Sequence, residues 1–139
     1  MLSYGLLTNP SNDILCEISK IYHLNFDYAE LGIEGPEGNP QIINKKKNEL
    51  SKLLQKFKQK PIGHTAYWID LCSDYDYVRH AWILEAMREI RTARIVGVDL
   101  INFHANLNGI NTKCFRLLKK KEARSNQLAS SSLILSTTP

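Results

Sequence analysis

The chain has 139 residues, 43% of them hydrophobic and 23% charged, which is one domain's worth of ordinary globular sequence and excludes a disordered or low-complexity chain. No apolar run approaches the roughly 20 residues that span a bilayer, and no basic segment leads into an apolar one at the amino end, so a soluble, cytoplasmic protein is expected. The formal net charge of +4 is unevenly placed: residues 1–111 carry 12 basic and 13 acidic side chains, and from Thr112 onward six basic residues face Glu122 alone. A near-neutral body argues against nucleic acid as the main partner. The cysteines, Cys16, Cys72 and Cys114, are odd in number and widely spaced, which suggests ordinary thiols rather than a disulfide framework or a cysteine metal site.

Leu2 to Thr8 is a short apolar run closed by Asn9-Pro10-Ser11, a first strand leading into a helix start. Ser11 or Asn12 can cap that helix, Asp13 and Glu17 suit its positive end, and Ile14, Ile18 and Ile21 form its apolar stripe. Tyr28 to Ile33 reads as a second strand, with Tyr28, Glu30, Gly32 and Glu34 on one face and Ala29, Leu31 and Ile33 on the other. After the loop Gly35-Pro36-Glu37-Gly38, Asn39 can cap a second helix with Pro40 in its first turn. Ile43, Leu50, Leu53, Leu54 and Phe57 make its apolar side, and its lysines make a solvated one.

Pro61 opens a third strand running to Tyr67. Ser73 and Asp76 match a capping box for a third helix from about Asp74 to Val96, with Val78, Trp82, Ala86, Ile90 and Ala93 as its stripe. Gly97 suits its end as a residue free to take positive φ, and Val98 to Ala105 reads as a fourth strand. Strand and helix alternate throughout residues 1–111, which argues for an α/β fold with a parallel sheet. Thr112 to Arg124 reads as a basic helix and Ser132 to Leu135 as a short fifth strand. Residues 112–139 therefore form a basic helix and a Ser/Thr-rich tail that differ in composition from residues 1–111, as an aberrant or truncated ending would.

A histidine lies near the carboxyl end of each of the last two strands of the body. His64 shares a face with Ile62 and Ala66, and His104 shares one with Leu100 and Asn102. Neighbouring parallel strands in the same phase aim both imidazoles at one point beyond the strand ends, where α/β folds place their ligands. Such a point suits a divalent metal. His23 and His80, at a helix exit and on a helix face, read as structural or solvated.

The stretches Phe26-Asp27-Tyr28-Ala29-Glu30-Leu31, Gly63-His64-Thr65-Ala66-Tyr67, Ala93-Arg94-Ile95-Val96-Gly97-Val98-Asp99 and Asn102-Phe103-His104-Ala105 resemble the xylose isomerase-like TIM barrels. That superfamily includes sugar phosphate isomerases and epimerases and the endonuclease IV type of repair nuclease. The resemblance covers residues 1 to about 110 and implies the first half of an eight-stranded barrel, a partial (β/α)8 fold of four to five parallel strands with flanking helices. It implies that His64 and His104 are metal ligands, for Zn, Mn or Mg, and that Glu30 contacts a sugar or sugar phosphate substrate. The carboxylates and histidines that such barrels carry on later strands have no counterparts here, so the metal is not expected to be held strongly by this chain alone. The function expected is that of a sugar phosphate isomerase or epimerase-like fragment lacking part of its active site. Two alternatives stand beside it: an endonuclease IV-like zinc nuclease acting at abasic sites, and a non-catalytic half barrel that needs a partner chain. Open sheet edges also lead us to expect self-association.

Overall fold

The computed structural model describes residues 2–104 and the backbone of Ser132–Ser136. The elements follow in chain order, with strand and helix alternating as far as β4: β1 Gly5–Leu7, α1 Ile14–His23, β2 Tyr28–Ile33, α2 Pro40–Leu54, β3 Ile62–Thr65, α3 Asp76–Ile95, β4 Leu100–His104 and β5 Ser132–Ser136. The strands form one sheet in the order β1-β2-β3-β4-β5, and every adjacent pair is parallel. A sequential parallel order means that each crossover lands on the same side of the sheet, since crossovers share one hand. The helices accordingly line up, α1 packing on α2 and α2 on α3. This is the wall of a singly wound barrel, in contrast to a doubly wound sheet with helices on both faces.

Alternation along the strands decides what lies between wall and helices. Ala29, Leu31 and Ile33 of β2 are wholly buried, as are Ile18 and Ile21 of α1 and Ile43 and Leu50 of α2. Gly63 lies so close to Val98 and Ile101 that a Cβ would meet their side chains at 3.1 and 3.2 Å, so the backbone of β3 packs directly against its neighbours there. The opposite, inward face carries Glu30, His64 and Asn102, and lower down Leu7, Ile62 and Leu100, whose partners in register are Leu7 with Glu30, Glu30 with Ile62, and Ile62 with Leu100. Leu7 remains 39% exposed on that side.

Local signals fix most of the element boundaries. Asn39 caps α2 through its side-chain oxygen, which accepts from the backbone N–H of Ile42, and Pro40 occupies the first turn as expected. Gly97 adopts φ of 88° beyond α3, the left-handed conformation that lets the chain turn into β4.

Two expectations are corrected. The cap of α1 is Asp13 rather than Ser11 or Asn12: its carboxylate accepts from the N–H groups of Leu15 and Cys16 and also pairs with Lys46 of α2. A carboxylate that can serve the helix end and an ammonium at once outcompetes a neutral cap. The capping box at Ser73 and Asp76 does not form, because α3 begins at Asp76 after Tyr75. Arg79 instead ties this turn down, donating to the Ser73 carbonyl and to the Asp76 carboxylate.

The apolar stripe expected on α3 also differs. Ala86 and Ala93 are buried, but Val78 is exposed, and the other buried positions are Glu89 and Thr92. The basic helix expected over residues 112–124 lies outside the described residues.

Candidate functional site

The register of the sheet builds the site. His64 of β3 pairs with Gly32 of β2 on one side and Asn102 of β4 on the other. Glu30 lies one inward position before Gly32 on β2, and its side chain reaches the His64 ring. The Nδ1–H of His64 donates to Oε1 of Glu30 at 2.7 Å. The Asn102 side chain also donates to the Glu30 carboxylate. Hydrogen bonds to the charged form, chiefly that from His64, hold this carboxyl below its usual range despite burial that opposes the shift.

With Nδ1 committed to the carboxylate, Nε2 of His64 points away from Glu30 and lies 2.6 Å from Nε2 of His104. The two rings stand 4.7 Å apart, centre to centre, tilted by 55°. One nitrogen donates and the other accepts. Burial and the neighbouring His64 lower the pKa of His104, which favours its neutral form.

The sheet therefore brings Glu30, His64 and His104 into one connected group across β2, β3 and β4. His23 and His80 are exposed on the helices and take no part. Asn102 belongs to the network although sequence reading placed it only on the face of His104. Its phase was legible, and its partner, two strands away, was not. Glu34 and Glu89 are further carboxyls that the sequence did not single out for this end of the sheet. Burial raises the pKa of Glu34, which follows β2 and senses His64 electrostatically.

The donor set fits part of a metal centre. Neutral imidazoles converging on one point, one of them oriented by a carboxylate on its far nitrogen, are the arrangement by which proteins present histidine to divalent cations. A catalytic zinc centre generally takes three protein ligands. Among the described residues no group of three or more His, Cys, Asp or Glu side chains stands close enough to hold an ion.

No family model and no curated protein matches the chain. Solved structures do. A D-tagatose 3-epimerase-like protein superposes with a TM-score of 0.70 at 16% identity, over 98% of this chain and 52% of the other. A D-psicose 3-epimerase, solved in the presence of D-fructose, superposes with a TM-score of 0.62 at 14% identity, over 96% of this chain and 51% of the other. The chain thus spans about half the length of these proteins. Its sequential parallel strands, its helices along one face and this likeness together give the chain an α/β fold that corresponds to about half of a TIM barrel.

Proposed function

We propose that this chain carries the metal-binding portion of a sugar isomerase or epimerase-like site, with His64 and His104 as ligands of one divalent cation, Zn, Mn or Mg, and Glu30 as a contact for a sugar or sugar phosphate. The observation that supports this reading best is the meeting of the two Nε2 atoms at the carboxyl ends of β3 and β4, on the inward face, where barrels of this kind bind their ligands. A bound ion would supply Lewis acidity toward a carbonyl or hydroxyl oxygen of the sugar. The chain's own groups prepare that point. Glu30 fixes the tautomer and direction of His64, and the lowered pKa of His104 keeps it in its ligating form. An ionised carboxylate has about four lone-pair sites, so Glu30 retains acceptors for a substrate hydroxyl beyond those used by His64 and Asn102.

Equilibrium dialysis against Zn2+ or Mn2+, with metal content measured per chain, tests the reading. One equivalent is expected in the wild type, lost in both His64→Ala and His104→Ala. Metal-free protein, with a thermal stability that added ion leaves unchanged, favours a structural role for the pair and overturns the proposal.

The same reading includes a partner for the inward face. Parallel sheets are normally covered on both sides, and among the described residues helices cover one. Self-association through that face and the free edge of β1 is expected to give species heavier than the 15.9 kDa chain in light scattering. A monodisperse monomer at high concentration counts against it.

A further inference from the structure

Behind the histidine pair, in the layer between sheet and helices, lies a carboxyl that the proposed chemistry does not use. Glu89 of α3 is only 3% exposed. The backbone N–H of Ala66 donates to its carboxyl, and its Oε2 has no hydrogen-bond partner among the described residues. Ala66 follows the end of β3, two residues beyond His64, and is itself buried. Below it the Ala66 carbonyl accepts from the N–H of Ile69, closing the turn by which the chain leaves the strand.

We propose that Glu89 is a positioning residue for the histidine pair: from the helix behind the sheet it grips the backbone of Ala66, and so holds the end of β3 in the register that points His64 at His104. The inference rests on these histidines being the working groups of the site, though it does not depend on a bound metal.

A buried carboxyl can serve as such a latch while it is neutral. Glu89 is kept protonated chiefly by burial, helped by Glu85 of its own helix and by Glu34 at the end of β2, against the opposing pull of the Ala66 N–H and, more weakly, of Arg88. Its pKa stands at about 8. Once ionised, the carboxylate turns toward water, because the single N–H of Ala66 offsets less than the cost of keeping the charge buried. Ala66 then loses its acceptor, and the strand end is released.

Ring spectra of the imidazoles in metal-free protein test this, and they report on His64 and His104 whether or not a metal binds. In the wild type the Nδ1 proton of His64, held by Glu30, is expected as a protected downfield signal that is lost as pH rises through 8. Glu89→Gln, which keeps an acceptor for Ala66 and cannot ionise, should retain the signal across that range. Glu89→Met preserves the volume, removes the acceptor and relieves the buried carboxyl, so it folds; it should shift the ring nitrogens of His64 and His104 and leave those of His23 and His80 in place. A folded Glu89→Met protein with wild-type signals for both site histidines would falsify the proposal. So would a wild-type signal that persists above pH 9 as it does in Glu89→Gln.

Discussion

Replacing Glu89 with glutamine is expected to raise the free energy of unfolding at pH 7 by roughly 3 kcal/mol, one of the largest single gains open to this chain. The cause is a difference in proton binding between states. In the unfolded chain the carboxyl ionises near its model value of 4.5, and in the fold near 8. Between those values the folded protein keeps a proton that the unfolded chain has released. Stability therefore falls as pH rises through this window, by up to about 5 kcal/mol, and levels off above it. The uncharged amide of the Glu89→Gln variant has no such dependence. Urea denaturation of both proteins at pH 5, 7 and 9 measures the gap, which should be small at pH 5 and widen to pH 8. Parallel curves at all three pH values would show that Glu89 ionises normally in the fold. The lowered carboxyls, Asp13, Glu17, Asp27 and Glu30, act in the opposite sense. Their stabilisation is present above their unfolded values and is lost as pH falls through the folded ones, so it is shared by both proteins and cancels in the comparison.

Glu30→Gln should weaken divalent metal binding by about 10- to 100-fold, the usual consequence of removing a carboxylate that orients a ligating histidine. The substituted amide oxygen can still accept from Nδ1–H of His64, but without the charge that now favours that tautomer and makes the ring a better donor. The amide nitrogen would also face the Asn102 side chain, which at present donates to the carboxylate. Two donors would then meet where a donor and an acceptor meet now. Dialysis titrations of wild type and variant with the same ion give the ratio directly. An unchanged affinity would place Glu30 outside the support of the proposed metal. Glu30→Ala should lose at least as much, and the comparison of the two variants separates the charge from the hydrogen bond.

These two carboxylates mark the difference between what could be read from the residues and what could not. Glu30 stands in a strand whose alternation is plain, and period alone put it on the face opposite Ala29, Leu31 and Ile33. Glu89 sits between Ala86 and Ala93, on the buried side of α3, at spacings that any helix offers. An apolar stripe read by side-chain type includes Trp82 and Ile90, which do pack against the core, and the exposed Val78, but it leaves out Glu89 because type does not report depth. Which turn of α3 lies over the sheet is settled by the path of the loop after β3, and that path is a tertiary fact.

Residue order alone was enough for the alternation of strand and helix, the capping of α2 by Asn39, the turn at Gly97, and the common phase of His64 and His104. Each of these depends on residues close together in the chain, where propensity and period act directly. It took the assembled sheet and its helices to establish that Glu30 reaches Nδ1 of His64, that the two Nε2 atoms meet at 2.6 Å, that Asp13 caps α1 while holding Lys46, and that a carboxyl lies buried behind β3. Those features join residues far apart in the chain or set the depth of a helix against the sheet, and distance of that kind is fixed by register and packing rather than by any local run of side chains.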